Sequence, residues 1–193
     1  MAVRAVVFDI GETLVDETSL WEHAADAAGV PRFTVMGVLG GLAARGEPHS
    51  RVWEILGVEP PGSGWPGDGF YPDALPALGR LRASGFVVGA VGNTPVEAEE
   101  LVREHVDFVG SSARWGVHKP AAGFSVRVAE EAGVPPEEVA YVGDRVDNDV
   151  VPALAVGMVA VHIRRGPWGY LHESPTTAFR IHGLDELPGA FLV

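Results

Sequence analysis

The 193-residue chain is long enough for one sizeable core with a small accessory piece, and its 47% apolar and 21% charged content sets it apart from disordered sequences. A formal charge of −12 disfavours polyanionic partners such as nucleic acid or an anionic membrane surface, because the summed field repels phosphates. Cysteine is absent, which excludes disulfides, thiolate zinc sites and a cysteine nucleophile and leaves oxygen-ligated hard cations available.

No apolar run approaches the roughly 18 residues that span a bilayer, and the opening MAVRAVVFDI lacks a signal peptide's flanks and cleavage site; a cytoplasmic location with no membrane contact is expected. The first element in chain order is the apolar run AVVFD, which ends abruptly at Asp9 and reads as a buried strand. Residues 16–69 carry helical pieces near 20–28, 34–45 and 50–56 and no convincing strand, which predicts a small helical insertion. Its far side, GVEPPGSGWPGDGF, is too long and too rich in breakers for a tight turn and reads as a hinge or ordered loop. A second strand, FVVGAVGN, closes at Asn93, and Thr94-Pro95-Val96-Glu97 then has the pattern of a capping box with proline at the first helical position. Helical periodicity over 97–105 and 124–132 follows, and VAYVGD closes a third strand at Asp144. Gly29, Gly133 and Gly157 each follow a helical stretch, as left-handed stop residues do. The end, LDELPGAFLV, reads as a short closing helix.

Strands alternating with helices predict a parallel sheet, and ligands of such sheets gather beyond the carboxyl ends of the strands. Asp9, Asn93 and Asp144 are therefore expected to converge on one crevice, with the helical insertion as a cap above it. The segment after the third strand carries Asp144, Asn148 and Asp149 at the spacing G-D-x-x-x-N-D. Carboxylates gathered with Asp9 repel one another unless a cation intervenes, and Mg²⁺, which takes oxygen ligands and keeps several waters, meets that need. Lys119 is the only lysine in the chain, so chemistry that requires a neutralisable amine has one candidate.

These segments resemble the motifs of haloacid dehalogenase-like hydrolases: VVFDIGETLV the first, GVHKPAAGF the third and YVGDRVDNDVVPALAVGM the fourth, so that the resemblance spans nearly the whole chain. It implies an α/β fold, a Rossmann-like parallel sheet with helices on both faces, with residues 1–15 and 70–193 as the core and 16–69 as a small α-helical cap. It also implies Asp9 as a nucleophile that forms an aspartyl-phosphate and Lys119 as the ammonium that stabilises developing charge. Mg²⁺ would be held by Asp9, the backbone carbonyl of Gly11, Asp144 and, through water, Asp149. Thr13, Gly92 and Asn93 are the expected phosphate-binding positions. The implied activity is Mg²⁺-dependent hydrolysis of a small phosphorylated metabolite, by a monomer or a homodimer.

The chain departs from the family pattern at Gly11, where a second aspartate normally serves as general acid and base, and at Gly92, where a serine or threonine normally offers a hydroxyl. Glu12 is adjacent, but consecutive residues on an irregular turn point in different directions. Thr94 offers a hydroxyl, yet its place in the capping box gives it a structural reason to exist. The two losses keep open an alternative, a weakened or inactive member that binds a ligand or partner. A phosphonatase needs a cap lysine, which is absent, and a 2-haloacid dehalogenase would leave the acidic cluster at Asp144, Asp147 and Asp149 uncompensated.

Overall fold

A computed structural model describes residues 2–62 and 69–187. Its centre is a six-stranded sheet in the order β3-β2-β1-β4-β5-β6, formed by β1 (Ala5–Asp9), β2 (Val87–Gly92), β3 (Phe108–Ser111), β4 (Val139–Gly143), β5 (Val159–Ile163) and β6 (Phe179–Ile181). Every neighbouring pair is parallel. The helices are α1 (Thr18–Ala27), α2 (Arg32–Ala44), α3 (Arg51–Leu56), α4 (Ala74–Ala83), α5 (Glu97–Val102), α6 (Ser112–Trp115), α7 (Ala122–Ala132), α8 (Val151–Ala155) and α9 (Gly166–Leu171). Among the described residues no single helix is long and apolar enough to cross a membrane.

β1 reads as an unbroken apolar run because both of its faces are covered. Val6 and Phe8 pack with Ala77, Leu78 and Leu81 of α4, whereas Ala5 and Val7 pack with Phe124 and Val128 of α7. A large side chain as fully buried as Phe8 contributes roughly 1.5–3 kcal/mol, so this strand anchors both layers. The sheet order reverses between β1 and β4, which opens a crevice beyond their carboxyl ends. The expected stop residues have left-handed backbones, with φ of 67° at Gly29 and Gly133 and 89° at Gly157.

α1, α2 and α3 gather around an apolar cluster of their own, to which Val35, Leu39, Leu42 and Val52 contribute; Trp168 of α9 joins it from the sheet side. Two crossing backbone segments tie these helices to the sheet: Asp16 N–H donates to the Gly69 carbonyl at 2.6 Å and Tyr71 N–H to the Leu14 carbonyl at 2.9 Å. Gly69 is required at this approach, because a Cβ there would lie 2.8 Å from the Asp16 carbonyl oxygen.

Three expectations change in detail. The helix expected over 97–105 is α5 followed by a 3-10 turn, Arg103–His105. Of the breaker-rich segment, residues 63–68 lie outside the described residues. At the C-terminal end Leu184–Glu186 forms a 3-10 turn, and residues 188–193 of the expected closing helix also lie outside the described residues.

Candidate active site

Asp9 ends β1 and Asp144 directly follows β4, so the two central strands deliver both carboxylates to the crevice. Asp149 arrives from a π-helical turn, Val146–Val150, a local widening of the helix that often marks functional sites. Carboxylate oxygens of Asp9, Asp144 and Asp149 lie within 4.8 Å of one another. Asp149 gets there by crossing Gly143, where a Cβ would lie 2.4 Å from the Asp149 Cγ. Beneath this group the fully buried His162 of β5 places Nε2 3.0 Å from the Asp144 carbonyl oxygen, a support that sequence reasoning missed.

Lys119 reaches the same point from the loop before α7. Its Nζ donates to Asp9 Oδ1 and to Asp149 Oδ1, each at 2.6 Å, and its side chain is only 5% exposed. Asn93 fixes this loop: its Oδ1 accepts the Lys119 N–H at 2.8 Å and its Nδ2 donates to the Lys119 carbonyl at 3.0 Å. The Asn93 carboxamide is therefore engaged in holding Lys119, a role the strand-end position did not reveal. The other oxygen of Asp149, Oδ2, accepts the Arg145 N–H at 3.0 Å.

The electrostatics follow from this crowding. Burial raises the Asp9 carboxyl; the Lys119 ammonium opposes the rise, Asp149 adds to it, and the result is about 6. Burial and the fields of Asp149 and Asp9 push Asp144 well above the carboxylate range. Burial alone would lower Lys119, but Asp149 and Asp9 more than offset it and keep the ammonium charged. Three clustered carboxylates against one cation form an all-oxygen donor set short of positive charge, which fits a hard divalent ion.

Asp9, Asp144 and Lys119 open into a cavity of about 380 Å³ that runs up to Trp21 and His49 of the helical segment and to Trp168 of α9. The walls interlock through aromatic edges: Trp21 and His49 are 5.7 Å apart and His49 and Trp168 6.2 Å, centroid to centroid. The Arg145 guanidinium lies 4.9 Å from the Trp168 ring centroid and faces the same cavity.

Residues 3–157 match the haloacid dehalogenase-like hydrolase family. The chain belongs to that family. A glyceraldehyde 3-phosphate phosphatase of Methanopyrus kandleri is 42% identical over 104 residues, 51% of this chain and 45% of that protein. Its namesake in Methanocaldococcus jannaschii is 33% identical over 123 residues, 61% of this chain and 54% of that one. The chain thus spans about half the length of the curated relatives it matches. Among solved structures, a haloacid dehalogenase phosphatase of Thermococcus onnurineus has a TM-score of 0.65 at 24% identity, covering 96% of both chains. The L-2-haloacid dehalogenase of Xanthobacter autotrophicus has a TM-score of 0.72 at 21% identity, again with 96% of both chains covered. These two structures share the fold.

Against the pattern of haloacid dehalogenase-like hydrolases, both missing side chains have neighbours in their places. A Cβ at Gly11 would lie 2.2 Å from Glu17 Oε1, so the Glu17 carboxyl occupies that volume. Burial, with Glu12 and Asp9 nearby, pushes this carboxyl up to about 8. A Cβ at Gly92 would lie 3.0 Å from Thr94 Cγ2, 3.4 Å from Asp9 Oδ1 and 3.5 Å from Thr94 Oγ1. The capping box expected of Thr94 does not form: α5 starts at Glu97 after Val96, with no side-chain cap, because Pro95 and Val96 carry the chain past Thr94 first. Thr94 Oγ1 is buried beside the cavity with no partner among the described residues. Thr13, expected to bind phosphate, is wholly buried and does not line the cavity; its carbonyl accepts a 2.7 Å hydrogen bond from Arg165.

Proposed function

We propose that this protein is a phosphatase acting on a small phosphate monoester, with Asp9 as nucleophile and α1–α3 as a cap, residues 16–69, over a core of 1–15 and 70–193. The observation that carries this reading is the pairing of Asp9 with Lys119 at 2.6 Å on the floor of a 380 Å³ cavity, at the carboxyl end of the central strand. An Asp9 carboxylate so placed can attack phosphorus and form an aspartyl-phosphate, replacing one difficult displacement with two easier ones. Lys119 places a fixed positive charge beside the Asp9 carboxylate, where it would screen the nucleophile from the phosphoryl oxygens and stabilise the charge those oxygens carry during transfer. The buried acidic trio supports a metal-dependent reaction over carbon-centred dehalogenation, which uses no ion to neutralise it.

Asp9, Asp144, the Gly11 carbonyl and, through water, Asp149 would hold Mg²⁺, which would neutralise the cluster and withdraw charge from the phosphoryl oxygens. Backbone N–H groups at Gly92 and Asn93 and the Thr94 hydroxyl would receive those oxygens. The names of the archaeal relatives make a triose phosphate the first substrate to try. Trp21, His49 and Trp168, which surround the outer cavity, would set what else is accepted.

Hydrolysis of a panel of phosphorylated metabolites and p-nitrophenyl phosphate, with Mg²⁺ and with EDTA, tests the proposal. Turnover is expected with Mg²⁺, is lost in EDTA and is lost in Asp9→Asn; turnover that survives in Asp9→Asn overturns it. Thr94→Val separates the hydroxyl's role in binding from any structural one. Because this hydroxyl is buried with no partner among the described residues, stability is expected to hold within about 0.5 kcal/mol. kcat/KM is expected to fall roughly tenfold, the worth of one hydrogen bond to a charged group. A cap residue would instead lose about 1 kcal/mol of stability with turnover kept.

A further inference from the structure

The phosphatase reading leaves a gap: Gly11 has no group to protonate the leaving oxygen or to take a proton from water. The turn after β1 brings a carboxyl to that place from further along the chain. Beyond the 2.2 Å approach of Glu17 Oε1, a Cβ at Gly11 would also meet Glu17 Cδ at 2.9 Å and Cγ at 3.6 Å. The Glu17 side chain thus lies along the path that a residue-11 side chain would take into the cavity, and both Gly11 and Glu17 line that cavity with Asp9.

Neighbouring groups hold Glu17 in this position. Trp21 Nε1 donates to Glu17 Oε2 at 3.3 Å, and the Glu17 backbone N–H donates to Glu12 Oε1 at 2.8 Å. Glu12 is itself pinned: its backbone is left-handed, with φ of 52°, and its Oε2 accepts the Tyr71 hydroxyl at 2.7 Å. Both oxygens of Glu12 are engaged, which removes it as the substitute acid and makes it a positioning residue. Asp16, the other carboxylate of the turn, accepts the Thr18 N–H at 2.8 Å. Glu17 Oε1 accepts no hydrogen bond from any described residue and stays available to a ligand.

We propose that Glu17 is the general acid and base of this enzyme, reaching from the start of α1 into the volume left open at Gly11. The inference rests on the phosphatase reading. In the first half-reaction an Asp9 oxygen bonds to phosphorus as the bond from phosphorus to the ester oxygen breaks. The Glu17 carboxyl gives its proton to that departing oxygen, and the alcohol leaves. In the second half-reaction a water oxygen bonds to phosphorus and the bond from phosphorus to Asp9 breaks. Glu17 takes the proton from that water, so inorganic phosphate leaves and both carboxyls return to their starting states. The acid thereby belongs to the helical segment, and the active site is complete only with that segment in place.

Glu17→Gln, Glu17→Ala and Gly11→Asp/Glu17→Ala, prepared in the full chain with Mg²⁺, test this on p-nitrophenyl phosphate and on an alkyl phosphate, whose alkoxide is the poorer leaving group. Glu17→Gln is expected to lose about 10²–10⁴-fold in kcat on the alkyl ester and at most about tenfold in the formation of p-nitrophenolate in a single turnover. Phosphorylated protein, seen by intact mass after quenching, should accumulate in Glu17→Gln because water attack has lost its base. Gly11→Asp/Glu17→Ala is expected to regain at least about tenfold over Glu17→Ala on the alkyl ester, which a merely structural Glu17 would not allow. Equal losses on both esters, or no loss, would overturn the assignment while Asp9-dependent turnover left the phosphatase reading standing. Absence of Asp9-dependent turnover in the unsubstituted protein would bring down both.

Discussion

Lys119→Met is expected to lower the stability of the metal-free protein by about 3–5 kcal/mol, the usual consequence of removing one partner from a buried ion pair. The Lys119 ammonium contacts Asp9 and Asp149 at 2.6 Å each, and the Asp149 side chain is fully buried. Methionine keeps most of the volume and removes the charge, so the loss is electrostatic rather than a cavity. For a protein of this size the midpoint of thermal unfolding should fall by roughly 10 °C in EDTA. Part of that drop should return in Mg²⁺, because a bound cation compensates the same carboxylates. Turnover should fall by about 10²–10³-fold even where the variant is fully folded, the range seen when a fixed charge-stabilising donor is deleted. Unchanged melting in EDTA would show that Lys119 does not compensate Asp9 and Asp149.

The second large effect concerns the acidic cluster itself. Thermal melts of the unsubstituted protein should shift upward with Mg²⁺, by about 2.7 kcal/mol when the ion is at a hundred times its dissociation constant. Asp144→Asn should abolish this shift. In EDTA the same variant should melt higher than the unsubstituted protein, since it removes one of three mutually repelling buried carboxylates. The pH dependence follows from Asp9, whose carboxyl rises from its usual 3.8 to about 6 on folding. Its raised value means that the folded chain holds the proton more tightly than the unfolded one. Asp9's contribution to stability is therefore full below pH 3.8 and is lost as the pH rises through 6. Metal-free melts should show that decline, and Mg²⁺ should flatten it by favouring the ionised carboxylates. A Mg²⁺ shift equal in Asp144→Asn and in the unsubstituted protein would place the ion elsewhere.

How much of this was legible in advance depends on how far apart the interacting residues lie. The central strands could be read directly, because a strand buried on both faces is a continuous apolar run, and AVVFD and VAYVG are such runs. The outer strands were not: β6 is three residues long with one of them buried, too short for a pattern to emerge. The helices of the 16–69 segment were visible from their periodicity, but Trp168, which joins their cluster from α9, was not.

By itself the sequence determined the central strands as buried apolar runs, the stop glycines and the strand-end position of Asp9, with Asp144 directly after its strand. These depend on residues adjacent in the chain. It also placed Lys119 and Asp149 in segments that resemble family motifs, though not the 2.6 Å contacts they make. Only the tertiary structure decided what stands in for the side chains absent at Gly11 and Gly92. The left-handed Glu12 folds the turn so that Glu17 returns over Gly11, and the path through Pro95 and Val96 leaves Thr94 against Gly92 instead of at a helix end. Both outcomes are set by which volumes the folded backbone leaves open, and a residue's neighbours in sequence do not specify those volumes.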